Sequence, residues 1–455
     1  LYYLGLALRA QGKKEEAEDA FNRAAWTLAW RSAAFTQLAE LAAADGAAGR
    51  ALSRAAEALI TNTRNNQALG LRASLLRRLG RTDEARSAVA EMRSVDPADL
   101  RAAFEVYLLS NSGGLHEDVG RLHGEMLGLL RDSPAGLLEL AADYGRGGMW
   151  DDAASALGVL TAGKKKGPGD FPLLHYFQAY ARERAADRRG AAADLKNAAT
   201  LPPDYGFPFQ SEFIDILRWA MAANPGDARA PYYLGNFFFD RQPEEAMRLW
   251  SVSAGLEPRF ATVLRNLGIG AWKARKNLSD ARAWLEKAAA ADPSDPRLLL
   301  ELDQVSELSR VPAEKRLAVL EKSHAVAALR DDVLGREVQL LVLLGRHEKA
   351  IELLKSHHFR VWEGGGNIHA SFVQAYLARG RAAMDARRFK EALAAFETAL
   401  TYPPNLETAE PRRGAGSVRI FFHVAAARGG VGGRAAAEKA LGKALSFRSA
   451  RAEDE

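Results

Sequence analysis

The residues best suited to chemistry lie in the stretch HHFRVWEGGGNIH, residues 357–369. Trp362 offers a flat apolar face of the kind that stacks on sugars or peptides, and Glu363 sets a carboxylate beside it. Gly364 and Gly365 leave bare N–H groups that a ligand or a neighbouring backbone could approach closely. A purely structural reading competes with this one. Glycines end helices by allowing positive φ, and a Trp can cover the joint that follows. Ending a helix takes one glycine, and the extra ones cost backbone entropy on ordering. The stretch is therefore a candidate binding loop as well as a joint.

Other catalytic patterns are missing. No Gly-Lys is followed by Ser or Thr, so there is no phosphate-binding glycine loop. Gly430-Val431-Gly432 with Ala435 has dinucleotide-like spacing, but it follows a helical pattern rather than a strand and reads as an inter-helix turn. The nine histidines show no metal-ligand spacing, and adjacent His357 and His358 would not face one site on a helix. The chain has no cysteine, which excludes disulfides, thiolate catalysis and Cys-ligated metals and is compatible with a reducing, cytoplasmic setting. No catalytic residue, metal or cofactor is expected.

Charge and hydropathy narrow the partners. The net charge of +5 comes from 62 basic residues against 57 acidic ones, a small imbalance in a heavily charged chain. The densest basic run, Lys164–Lys166, has no interleaved aromatics and reads as a solvated loop, not a nucleic-acid patch. No apolar run reaches ~18 residues, so no membrane span is expected. The chain opens without Met inside a helical pattern and reads as a fragment.

The elements that would carry these residues follow from a repeat. Gly12, Gly46, Gly80, Gly114 and Gly148 are each 34 residues apart, and five positions beyond each stand Ala17, Ala51, Ala85, Val119 and Ala153. Later units carry Leu234-Gly235, Ala246, Trp250 and Pro258, then Leu267-Gly268, Ala281, Leu285 and Pro293, and again Gly380, Ala392, Phe396 and Pro404. Gly and Ala suit places where two helices approach closely, and the large residue fills the space they leave. Pro is tolerated where the next helix begins. The pattern resembles the tetratricopeptide repeat along essentially the whole chain. It implies an all-α fold, a right-handed α-α superhelix of about twelve helix pairs in which each pair buries its apolar faces on its neighbours.

The period also breaks. The expected organisation is an N-terminal array over 1–204, a Pro- and aromatic-rich break with a single helix over 205–227, a central array over 228–358, the Trp/Gly joint over 359–370, and C-terminal pairs with a charged tail over 371–455. The single helix is expected over 209–223, with Tyr205, Phe207 and Phe209 plugging the bend beneath it. Units within 296–358 lack the close-approach glycine but keep the helical pattern.

By the same resemblance, first helices line a concave groove. That places Tyr232, Asn236 and Phe239 towards the groove from one unit, and Arg265, Asn266, Ile269 and Trp272 from the next. Asn236 and Asn266 match asparagines that hold a peptide carboxylate in chaperone-binding relatives. The lysines those relatives need are absent, because Tyr232, Pro296 and Leu300 stand in their places, so chaperone-tail binding is disfavoured. The expected role is a scaffold for a partner protein. A narrower resemblance rests on AAWTLAWRSAAF, PPDYGFP, YYLGNFFFD, RFATVLRNLGI, LLLELDQ and VWEGGG in that order. This set is similar to the C-terminal helical half of a bacterial family of unknown function with a mutarotase-like β-rich N-terminal region. It implies an alternative role, a helical arm that docks on a β-rich domain in cis and helps shape a carbohydrate site.

Overall fold

The structure is a computed structural model that describes residues 1–111, 118–131, 133–161, 171–204, 206–360, 368–408 and 418–446. The regular structure among the described residues is all helical, with no strand. They fall into two units, Leu1–Leu256 and Glu257–Glu455.

The first unit contains α1 (Tyr2–Ala10), α2 (Lys14–Ala24), α3 (Leu28–Ala44), α4 (Ala48–Thr61), α5 (Asn66–Arg78), α6 (Thr82–Val95), α7 (Leu100–Asn111), α8 (Val119–Leu130), α9 (Ala135–Arg146), α10 (Trp150–Thr161), α11 (Pro172–Arg184), α12 (Arg188–Thr200), α13 (Glu212–Ala223), α14 (Arg229–Phe238) and α15 (Pro243–Leu256). The second contains α16 (Ala261–Lys273), α17 (Leu278–Ala291), α18 (Pro296–Leu308), α19 (Ala313–Lys322), α20 (His324–Ala327), α21 (Asp331–Leu343), α22 (His347–Ser356), α23 (Ile368–Asp385), α24 (Phe389–Thr398), α25 (Val418–Gly430) and α26 (Arg434–Ser446). Consecutive helices pack as antiparallel-style hairpins, α1 on α2 through α25 on α26, with α13 and α20 outside the pairing.

The pairing follows from residue size. The fourth residue of most second helices is a fully buried alanine, among them Ala17, Ala51, Ala85, Ala153, Ala246, Ala281, Ala350 and Ala392. In several pairs the first helix brings a glycine opposite it. A Cβ at Gly268 would lie 2.8 Å from Leu285 Cγ, and one at Gly235 or Gly380 would collide with the ring of Trp250 or Phe396. Only glycine lets the large residue sit flush against the backbone.

The periodic glycines do a different job. Gly12, Gly46, Gly80 and Gly148 all adopt φ between +72° and +74° in the turn within a pair, where open space surrounds most of them. They are there for their backbone conformation, which costs an L-residue roughly 1–2 kcal/mol. Other pairs make the same turn with Ala186, Lys276, Arg310 and Arg387 at φ +56° to +65°.

Two local expectations change. Val119 only opens α8, and Leu122, at the fourth position, fills the buried slot. Gly114 lies outside the described residues. At the break, α13 begins at Glu212 and packs against α11 and α14. Phe207 and Phe209 are exposed rather than a plug, and Tyr205 lies outside the described residues. The space is filled instead by Tyr233, whose ring rests against Gly206 and whose hydroxyl donates to the Pro203 carbonyl at 3.3 Å, and by Phe213, which meets Phe177 edge-on. Phe207 and Phe209 flank Pro208 outside any helix, so their side chains have no helix face to fold onto.

Candidate functional site

In the first unit the three groove candidates gather round one indole. Gly235 lets Trp250 lie on α14, and its Nε1–H donates to Asn236 Oδ1 at 3.2 Å and to the Tyr232 carbonyl at 3.3 Å. Phe239 packs on the same indole, with ring centroids 5.1 Å apart. Tyr232 is buried against Tyr233, while Asn236 and Phe239 stay half-buried. All three therefore have packing roles, and Asn236 and Phe239 keep part of their surface in solvent.

In the second unit Arg265, Asn266 and Trp272 are half-buried on α16. Arg265 forms a fork on Glu301 of α18, with Nε 2.7 Å and 3.0 Å from the two carboxylate oxygens. Such two-point pairing fixes the angle between successive first helices as well as contributing charge attraction. Lys273 Nζ lies 3.9 Å from the centroid of the Trp272 ring. The two groups of candidates belong to different units.

The joint is anchored on its near side. The Phe359 N–H donates to the Asn405 carbonyl at 2.7 Å, and Asn405 Nδ2 donates to the carbonyls of Leu354 and His357 at 2.8 Å and 2.7 Å. His358 Nε2 lies 2.7 Å from Glu407, and the Arg360 N–H donates to Asp331 at 3.0 Å. The 3₁₀ turn Pro404–Leu406 thus ties down the end of α22. Trp362, Glu363, Gly364 and Gly365 lie outside the described residues.

A charged network that no spacing rule announces runs through the first unit, largely between first helices. Arg77 Nε donates to Glu105 at 2.7 Å and its Nη2 to Asp152 at 2.8 Å. Arg78 reaches Asp151 and Asp152 at 2.7 Å and 3.0 Å. Glu105 also accepts from Ser74 Oγ and Tyr144 OH, each at 2.6 Å, and Arg101 lies over the Tyr144 ring. Further along, Arg9 donates to Gln37 and Glu40 at 2.6 Å and to the Arg146 carbonyl at 3.1 Å. Arg146 itself pairs with Asp143 and, at 2.7 Å, with Glu212. These contacts join α1, α3, α5, α7, α9, α10 and α13.

The titration of this network follows from burial and charge. Burial is the largest influence on Glu105 and pushes it up, but the Arg77 charge and the hydrogen bonds from Arg77, Ser74 and Tyr144 outweigh it and hold the carboxyl below its usual range. Burial dominates at Asp152 and raises it, despite its share of Arg77. Tyr144 is driven well above an ordinary phenol, first by burial and then by the Glu105 charge. One signal is visible in the sequence: Glu105 is the lone acid in the apolar run AAFEVYLL. Its partners are not, because they come from helices far apart in the chain.

Comparison with known proteins adds to the helix-pair geometry. The family profile of the tetratricopeptide repeat matches residues 373–406, which hold Gly380, Ala392, Phe396 and Pro404. The matched segment spans most of α23, all of α24 and the 3₁₀ turn that anchors the joint. Among solved structures, yeast Tom70 is similar at 15% identity over 98% of both chains, with a TM-score of 0.27. MamA is 17% identical over 41% of this chain and 93% of its own, with a TM-score of 0.21. YrrB, described as a tetratricopeptide protein with an unusual peptide-binding site, is 15% identical over 52% of this chain and 92% of its own, with a TM-score of 0.19. Global superposition is poor in each case. Among the described residues no group of His, Asp and Glu could hold a metal ion, and no helix is long and apolar enough to cross a membrane.

Proposed function

We propose that the chain is a non-catalytic scaffold that binds a segment of a partner protein on the first-helix face of its second unit. The carrying observation is a repeated register of polar and exposed apolar side chains. First helices α16, α18 and α21 begin at Ala261, Pro296 and Asp331, each 35 residues after the last. Their sixth residues are Asn266, Glu301 and Arg336, all polar and half-buried, and their last residues include the exposed Leu308 and Leu343. Trp272 lies one residue before the end of α16. Exposed leucines and a Trp beside a row of polar groups fit a peptide segment anchored chiefly by its apolar side chains.

Ion pairs engage first helices in both units, from α1 to α13 in the first and as Arg265–Glu301 and Arg336–Asp303 in the second, so the exposed Leu308 and Leu343 with Trp272 are what set the second-unit face apart. Selection of peptides from a random displayed library against the full chain tests the reading. Enriched peptides are expected to bind Asn266→Ala and Trp272→Ala about tenfold more weakly, the scale of one lost polar or aromatic anchor, with an unchanged thermal midpoint. Undiminished binding to both variants would contradict the assignment of this face.

A further inference from the structure

The unit α18–α19 departs from the rule that shapes most of the pairs. Asp303, the eighth residue of α18, stands where α16 has Gly268, and Arg316, the fourth residue of α19, stands where α17 has Ala281. Both are buried. Arg316 forks onto Asp303 at 2.8 Å and 3.0 Å, and Arg336 reaches the same carboxylate at 2.6 Å. A guanidinium and a carboxylate thus fill the interface that a glycine and an alanine close elsewhere. A cavity of about 500 Å³ lies between α17, α18 and α19. Two of those three are second helices, so the cavity lies away from the first-helix face proposed for a protein partner.

The lining of the cavity has two parts. Leu299, Leu302, Val311 and Leu320 supply an apolar floor, and Arg310 and Lys315 stand at the rim. Other charges at the site are already engaged. Arg282 faces Glu286 at 3.3 Å, Asp303 is held by two arginines, and Glu307 takes the remaining arms of Arg316 and Arg336 at 3.1 Å and 2.7 Å. Arg310 and Lys315 take no part in these ion pairs. Ser309 belongs to the cavity wall, but its Oγ is buried out of reach of a bound molecule.

We propose that this cavity binds a small amphiphilic carboxylate, a medium-length alkyl chain lying on the leucine floor with its head group between Arg310 and Lys315. The volume falls in the range of small-molecule sites. Two cations at the rim of an apolar floor match a single anionic head, whereas a peptide would bring several amide groups and find few partners for them. The site is independent of the protein-binding face.

Isothermal titration of the full chain with sodium decanoate, below its micelle-forming concentration, is the test. Saturable binding is expected, with decanol about tenfold weaker for want of the charge. The double variant Arg310→Gly, Lys315→Ala is also expected to bind decanoate about tenfold more weakly. That variant keeps its fold, since Arg310 sits at φ +57°, where glycine is at ease, and Lys315 is exposed. Val319→Trp, at an exposed position of the lining, fills the cavity and abolishes binding. No saturation, equal affinity for decanol, or undiminished binding to either variant overturns the proposal. So does tighter binding of a short acetylated peptide ending in a Leu carboxylate.

Discussion

Glu105 shows what a single residue does in this chain. It has no solvent exposure and accepts from Arg77, Ser74 and Tyr144 at once. Glu105→Ala leaves Arg77 without its main buried counter-charge and is expected to cost about 3–5 kcal/mol, read as a shift in the denaturation midpoint. The pH dependence has a definite sign. Because the folded carboxyl is held below its ordinary value of 4.5, its contribution is present in full at neutral pH. That contribution is lost as the pH falls through the lowered folded value. The stability gap between the wild type and Glu105→Gln is therefore widest near neutrality and closes on acidification below the usual glutamate range. Thermal melts across that range check it, and a gap that widens in acid would contradict the assignment. At this scale the sequence is only half legible. A lone acid inside AAFEVYLL stands out, but nothing in the spacing of Arg77, Tyr144 or Asp152 names them as its partners.

Helix pairs are the most legible level. Close-approach glycines and buried alanines are dictated by residue size within about thirty residues of chain, so the repeat survives in the letters. Legibility fails where length or size changes locally. The 34-residue spacing points to Val119, whereas α8 opens there and its fourth residue, Leu122, fills the slot. Phe207 and Phe209 have the composition of core aromatics but flank a proline outside any helix and face solvent. The unit at α18–α19 is visible as lacking its glycine, yet the cavity there, lined in part by the paired Arg316 and Asp303, is not. The turns give a prediction of their own. Arg387 adopts φ +58° where other pairs use glycine at φ near +73°. Arg387→Gly is expected to stabilise the fold by about 1 kcal/mol, and Gly80→Ala to destabilise it by about 1–2 kcal/mol. Chemical denaturation of the two variants checks both signs, and opposite shifts would show that the turns do not set this part of the stability.

A simple repeat array is nearly one-dimensional, each unit touching only its neighbours. The first unit of this molecule departs from that. Arg9 reaches the backbone of Arg146, and Gly148 lies against the backbone of Ala44. Its first helices are thereby tied together across more than nearest neighbours, whereas the second unit's ties, Arg265–Glu301 and Arg336–Asp303, join only successive first helices and leave Trp272 and Leu308 on that face. The repeat register alone locates the candidate binding residues on α14 and α16, but it does not show that Trp250 engages Asn236 and Phe239. Binding of a partner peptide on the first helices of the second unit has a direct readout in hydrogen exchange of the full chain, with and without a selected peptide. Slowed exchange is expected within residues 261–273 and 296–308, with the first helices of the first unit unchanged. Protection confined to α1–α13, or to the second helices α17 and α19, would contradict it.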